Sequence, residues 1–576
     1  MFSTVTVVKT FSMAYSTIRM KRHNMTKRHK ADIWSIVSII LFLLFMVFLI
    51  YPLFGIMKQS VIGSDGSFSF SQFKKFFSQK YYTNTISNSI KVTLAVTLCS
   101  LLVGIPMSYF YSFYKLKLSK LIFTISILCC MSAPFLGAYS WILLLGRSGV
   151  ITSFFKNTFG INIGNIYGFG GILLVQTLKF FPLVFIYMNG AFKNIDNSLM
   201  EASANMGCTG IKRLFTVVLS LVMPTVLAAS LLVFMRAFAD FGTPVVIGEG
   251  YMTFPVLIYR EFVNENGADF GFASAISVIA IIVTALVFLL QKWATRKFSY
   301  SINSLHPVEK KEAKGIGGVL MHIYCYAVCI IAFLPQVYII YLSFRKTNAA
   351  GTIFLDGFSL GSYKAAMNRL LMRSMTNTIK LGVLALIIII AVAIMIAYLT
   401  VRRKNLLNDT IDTFSMIPYI MPGVVIGIAL LTAFGKKPFK LTGTFTIMLL
   451  AVVIRRLPYT IRSATATLAQ IPMSIEEASI SLGASKFKTL TRITVPMMSN
   501  GIMSGAILSW VAILTEVSSA IILYNNKSIT MTISAYVAIS RGNDGMAAAF
   551  AAILTVMTII SLLIFLKVSK SEDIKL

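Results

Sequence analysis

The chain has 576 residues, 57% of them hydrophobic and 12% charged, with a mean hydropathy of +0.80. A soluble domain carries about 25% charged residues, so the composition excludes an ordinary soluble globule and fits a polytopic membrane protein. The net charge of +32 does not point to nucleic acid, because the bases sit in short clusters beside apolar runs and not in one basic domain.

In chain order, residues 1–33 hold seven cations (Lys9, Arg19, Lys21, Arg22, Lys27, Arg28, Lys30) and one acid, Asp32. This basic segment precedes an apolar run from Trp34 to Met57, long enough to span and without a small-residue cleavage site. It should stay in the cytoplasm and set the first helix N-in; Met20 and Met25 are alternative starts. Further spans are expected at about 91–113, 121–145, 170–190, 218–245 and 272–291. The 58–83 loop, with Lys74, Lys75 and Lys80, then falls outside, mildly against the charge rule, as a small external cap. Residues 292–315 read as a basic cytoplasmic linker. A second set of spans is expected at about 316–343, 379–400, 409–433, 441–460, 496–524 and 546–567, with a cytoplasmic tail at 569–576. The expected organisation is therefore all-α: two parallel six-helix repeats, 34–291 and 316–568, about twelve transmembrane helices, and both termini cytoplasmic.

The repeat is legible residue by residue. At an offset of 276, Lys179 meets Arg455, Pro182 meets Pro458, Glu201-Ala202-Ser203 meets Glu477-Ala478-Ser479, Gly207 meets Gly483 and Asp240 meets Glu516. Upstream, Asn88-Ser89-Ile90-Lys91 resembles Asn377-Thr378-Ile379-Lys380 at a slightly different offset. An even number of spans per repeat makes the halves parallel, a fused pseudo-dimer.

Each Glu-Ala-Ser segment lies in a cytoplasmic loop. Ser198 and Ser474, three residues before the Glu, predict a Ser-x-x-Glu capping box in both copies. Gly207 and Gly483 supply positions where the backbone can turn through positive φ. A short polar segment repeated in so apolar a chain reads as a docking surface.

Glu-Ala-x, three residues, Gly, then a hydrophobic stretch toward proline resembles the signature of permease subunits of bacterial ABC importers, over roughly residues 31 to 568. The resemblance implies the type I importer permease fold, with the two loops acting as coupling helices that contact a cytoplasmic ABC ATPase dimer through Glu201, Ala202, Gly207, Glu477, Ala478 and Gly483. It also implies an extracytoplasmic substrate-binding protein and a bacterial inner-membrane location. The proline pattern departs from the family's: the first copy has Leu219-Ser220 and then Pro224, the second Val495-Pro496 and then Asn500. The halves are accordingly expected to bend differently where they enter the membrane.

A charge at mid-bilayer depth costs about 2.5–3.5 kcal/mol even on insertion scales, so Asp240 and Glu516 need a reason. One is a carboxylate pair flanking the translocation path; the other is local neutralisation, with Arg236 four residues before Asp240. The phrases around both residues resemble the fused permeases of iron(III) importers. Related permeases for thiamine, polyamines, sulfate or 2-aminoethylphosphonate share much of the pattern. The six cysteines have no ligand spacing, and His23, His29, His306 and His322 are not grouped, so no metal site is expected. No phosphate-binding GxxxxGK[ST] loop is present, so no cofactor is expected on this chain and ATP should be used by the partner subunit. A secondary transporter would not need a duplicated docking loop, and a membrane enzyme would need a convergent catalytic constellation, of which none is visible.

Overall fold

The computed structural model describes residues 33–63, 66–131, 134–162, 165–263, 269–297, 309–435 and 440–568. The basic N-terminal segment up to residue 32, residues 298–308 of the expected linker, the tail, and His23, His29 and His306 lie outside them.

The first half is built on α1 (Ile33–Ser60), α2 (Lys80–Phe113), α3 (Phe169–Lys193), α4 (Asn197–Asn205), α5 (Met223–Phe238) and α6 (Phe270–Lys297). The second uses α7 (Gly315–Ser343), α8 (Leu371–Arg402), α9 (Phe445–Gln470), α10 (Met473–Ser481), α11 (Ser499–Leu514) and α12 (Asp544–Val568). Shorter helices lie between them. Among the described residues up to eleven spans are long and apolar enough to cross a membrane, counting bent pairs as one. Within the expected span at 121–145 the described helices are Ser119–Met131 and Pro134–Leu145. The one at 409–433 is bent by 114° between Leu406–Ile420 and Gly423–Ala433. The cause of that bend is Pro422, which drives Met421 into the extended region at φ −90°, ψ 136° and ends the helix before it.

The offset of 276 holds for whole elements. Asn197–Asn205 maps onto Met473–Ser481, Gly210–Arg213 onto Lys486–Thr489, and the π-helical turn Leu214–Val218 onto Leu490–Thr494. Met223–Phe238 maps onto Ser499–Leu514 in the same register. Both halves break before this last helix, at Val222 and at Met498, by 75° and 71°. The differing prolines therefore do not make the halves bend differently. Pro224 sits in the first turn after one break and Pro496 just before the other, positions where the missing N–H costs little.

The first helix of each half packs against the other half. On α1, Trp34 meets Tyr398 at 4.5 Å between ring centroids, Phe42 meets Phe414 at 6.0 Å and Phe48 meets Phe434 at 5.9 Å. On α7, the Tyr324 hydroxyl donates to the Val103 carbonyl (2.9 Å) and that of Tyr326 to the Lys117 carbonyl (2.7 Å). Small residues let helices approach within a half as well: a Cβ on Gly505 would lie 2.6 Å from the Thr460 Cα. The outer faces stay apolar, as Ile379, Val383, Ile387 and Leu384, Ile388 on α8 form an exposed stripe at helical spacing, the surface a bilayer covers.

Two small strand pairs fix the loops. β1 (Tyr114–Lys115) runs parallel to β2 (Lys311–Glu312), so the end of the linker is stitched to the loop after α2. Lys115 pairs with Glu312 at 2.8 Å. β3 (Arg345–Thr347) and β4 (Phe354–Phe358) form an antiparallel hairpin after α7. In the 58–83 loop, Lys75 pairs with Asp269 at 3.3 Å and lies over the Phe272 ring at 4.0 Å. One of the cations that counted against the expected orientation is thus neutralised locally.

Candidate functional site: two exposed helices and a charged cavity

Helices α4 and α10 present the repeated segment at the surface. Glu201, Ala202 and Gly207 are exposed, and so are Glu477, Ala478 and Gly483. Ser203 and Ser479, the third residue of each triplet, are buried; the Ser479 hydroxyl lies 2.9 Å from that of Thr489. The triplet therefore faces two ways, its Glu-Ala edge outward and its Ser inward.

The glycines adopt the left-handed backbone expected of them, at φ +75° for Gly207 and +89° for Gly483. The capping box does not form. Ser198 and Ser474 lie inside their helices; the first helix is capped by Asp196, which accepts from the Ser198 amide, and the second begins after Pro472 without a side-chain cap. Glu201 instead accepts from the Asn197 side chain at 2.7 Å. A feature the sequence reading passed over is the residue before each glycine. Met206 is 79% exposed and Leu482 is 89% exposed, a large apolar side chain in the same phase of both copies. Its signal was available: an apolar residue standing in an otherwise polar loop, twice.

The two copies are anchored differently. Arg402 at the end of α8 donates to Glu476 (2.9 Å) and to the Ile471 carbonyl (2.8 Å), both side chains being almost fully buried. The counterpart of Glu476 is Met200, which is buried beside Phe113, the last residue of α2. Glu201, Met200, Phe113 and Arg213 share the wall of a groove with Lys310 and Lys311 of the linker. The loop after α2, the linker and α4 thus lie together at one end of the molecule.

At the far end of α5 and α11, roughly 24 Å along each 16-residue helix, the two repeated acids line one cavity of about 180 Å³ between the halves. Asp240 accepts from the Gln176 amide (3.1 Å), the Gly242 N–H (3.1 Å) and the Thr243 hydroxyl (2.7 Å), with Lys179 at 3.6 Å. Glu516 is ion-paired with both Arg455 and Arg456 and accepts the amide and hydroxyl of Ser519, each at 3.0 Å. Local neutralisation by Arg236 is not what occurs. Lys179 and Arg455, equivalent residues on α3 and α9, supply the counter-charge from across a helix pair, while Arg236 lies over the Tyr459 ring of the other half at 5.1 Å. Arg455 and Arg456, to which the sequence alone assigned no role, line the cavity beside Glu516. The insertion cost applied to Asp240 and Glu516 also applies to two adjacent arginines inside an expected span. Among the described residues, no three His, Cys, Asp or Glu side chains are grouped as a metal site.

Residues 31–300 and 389–569 match the family described as binding-protein-dependent transport system inner membrane component. The chain belongs to this family. It is a multi-pass permease, and its internal repeat corresponds to the two matched regions. Membership places it with transporter components, away from enzymes and from secondary carriers. The chain is 27% identical over 514 residues to the ferric transport system permease protein FbpB of Actinobacillus pleuropneumoniae, covering 87% of this chain and 73% of that protein. It is 27% identical over 470 residues to a putative ferric transport system permease protein of Haemophilus influenzae, covering 79% and 73%. A putative 2-aminoethylphosphonate transport system permease protein of Salmonella typhi is 24% identical over 250 residues, 43% of this chain and 86% of that protein.

Proposed function

We propose that this chain is the permease of an ATP-driven importer in a bacterial inner membrane, carrying iron(III) delivered by an extracytoplasmic binding protein. The observation that supports the cargo is the extent of the likeness. The similarity to a ferric permease runs through both halves and 87% of the chain, whereas the aminoethylphosphonate relative covers 43%. The two halves, 34–291 and 316–568, each offer one docking helix to a cytoplasmic ATPase dimer. That partner consumes the ATP, and this chain binds no cofactor of its own. Both termini are cytoplasmic in this reading, on the side of α4 and α10.

Docking uses the outward edge of each helix: Glu201, Ala202 and Gly207, and Glu477, Ala478 and Gly483, with Met206 and Leu482 as apolar anchors. Closure of the ATPase dimer on ATP would draw α4 and α10 together and rock the halves, opening the cavity at Asp240 and Glu516 toward the loaded binding protein. A second reading, 2-aminoethylphosphonate as cargo, is favoured by the excess of cations on the cavity wall.

The deciding experiment measures ATP hydrolysis by the reconstituted complex with iron(III), 2-aminoethylphosphonate, thiamine or spermidine on the cognate binding protein. Iron(III) is expected to stimulate it. In parallel, Gly207→Asp combined with Gly483→Asp should abolish both uptake and ATPase co-purification. Around both glycines the space within 4 Å of an added Cβ is open, so only left-handed strain of about 1–2 kcal/mol per site acts within this chain. Full uptake with unchanged co-purification would refute the docking assignment.

A further inference from the structure

We propose that the cavity between the halves passes its cargo as a net anion presenting oxygen acceptors, and that Arg236 is the residue that reads that charge. The inference rests on the importer reading. The cavity wall contains four cations, Lys179, Arg236, Arg455 and Arg456, against two carboxylates, Asp240 and Glu516. The formal balance, four positive against two negative, leaves an excess of two positive charges.

The carboxylates are already engaged. Glu516 takes Arg455 and the amide and hydroxyl of Ser519 on one oxygen and Arg456 on the other. Asp240 takes Gln176 and Thr243, with Lys179 at 3.6 Å, on one oxygen and the Gly242 amide on the other. Each acid is thus committed to cations and donors of the wall itself. Their role is to hold three of the cations in place. A bare trivalent cation entering here would meet excess positive charge and no ligand set.

Arg236 is the cation left over. Among the described residues no carboxylate lies within ion-pair distance of it. Its guanidinium stacks over Tyr459 and hydrogen-bonds the Tyr419 hydroxyl, contacts that orient the group without neutralising its charge. Its Nε is buried without a hydrogen-bond acceptor, as is that of Arg456. A buried donor of that kind is costly to leave unmet, and two of them on one cavity wall match the oxygens of a carboxylate or phosphonate. The volume, about 180 Å³, is that of about six waters and admits a small oxyanion. Iron(III) satisfies the same chemistry only when enclosed in an anionic oxygen chelate. The two sources, a free oxyanion or a chelated ferric ion, are separated by the test.

The permease–ATPase complex is reconstituted in proteoliposomes with its binding protein, in a chloride buffer free of other oxyanions. ATP-dependent uptake is followed for 55Fe offered as its 14C-citrate chelate, for 14C-2-aminoethylphosphonate, and for 14C-spermidine as a cationic probe. Uptake of 55Fe and 14C-citrate together, or of the phosphonate, is expected, and the arm that responds identifies the source. Arg236→Met should lower uptake per assembled complex at least tenfold, and Arg236→Lys, which retains the charge, should keep at least a third of it. Spermidine uptake, 55Fe arriving without citrate, or equal losses in the two variants would overturn the inference while leaving the importer reading intact. ATP-dependent uptake of none of the probes would overturn both. The double-label measurement needs no variant, so it decides the matter even if Arg236→Met fails to assemble.

Discussion

Removing the Arg402–Glu476 pair while keeping the rest of the second docking helix tests how that helix is held. At 2.9 Å and an effective dielectric near 20, the two charges attract by about 6 kcal/mol, opposed by the desolvation of both ions. Deleting one partner removes the attraction and leaves the other charge buried, a net loss of about 3–5 kcal/mol. Arg402→Met should cost this much and also strip the Ile471 carbonyl of its donor. The first half shows how to restore the contact without charge. The Asn88/Asn377 register places Phe113 opposite Arg402, both being the last residues of their helices, and Met200 opposite Glu476. Arg402→Phe with Glu476→Met should therefore recover most of the loss, since apolar replacement of a whole buried pair is often neutral or better. Amide exchange in Met473–Ser481 reads it locally: a loss of about 3 kcal/mol lowers protection roughly 100-fold. Exchange in the single variant within threefold of wild type would refute the claim that the pair anchors the helix. A double variant no better than the single would refute the equivalence with the first half.

Leu482, 89% exposed, should be dispensable for this chain's own stability and needed for its partner. Leu482→Asp is expected within about 0.5 kcal/mol of wild type in unfolding yet deficient at least tenfold in ATPase co-purification; normal co-purification would remove it from the docking surface. The β1–β2 contact should be governed by salt more than by pH. The Lys115–Glu312 pair lowers the Glu312 pKa from 4.5 and raises that of Lys115 from 10.5, through their mutual hydrogen bond first and their charges second. The Glu contribution is present above its unfolded pKa and lost as pH falls through the depressed folded value. The Lys contribution is present below its unfolded pKa and lost as pH rises through the elevated one. Exchange of the Lys311 and Glu312 amides, corrected for intrinsic rates, should thus be constant from about pH 6 to 9 and faster in 1 M salt, where the screening length is about 3 Å. A step near neutral pH would contradict this.

The sequence carried the repeat, the helical class and the pairing of Asp240 with Glu516 because these depend on local pattern and on one constant offset. Partner choice across space was beyond it. Arg236 sits one helical turn before Asp240 and looks like its counter-ion, yet the fold turns Arg236 toward Tyr459 and brings Lys179 in from α3. The capping box failed for a related reason. Ser-x-x-Glu fits the helix start by spacing, but Asp196 and Pro472 end the preceding chain two residues earlier and take the cap position. The 114° bend was legible in Met421-Pro422 and was passed over because hydropathy runs smoothly through it.

The paired bends before α5 and α11 show what sets the geometry at the membrane surface. If proline made the bend, the halves would differ, since Pro224 is matched by Asn500 and Pro496 by Ser220. They differ by 4°, 75° against 71°. The feature common to both halves there is the π-helical turn, Leu214–Val218 and Leu490–Thr494, with a three-residue helix and a break after it in the same phase. The bend itself falls after that short helix, at Val222 and Met498, where ψ opens to 10° and −4° and the helical ladder is interrupted in both halves alike. Pro224→Ala is accordingly predicted to leave the bend in place and uptake within twofold of wild type, because the second half already bends with Asn500 there. Spin-label distances from Met206 to Phe238 would detect a straightened helix directly. Lengthening by more than about 5 Å, close to one helical turn, would show that proline, and not the backbone break shared by the two halves, holds the first half in register with the second.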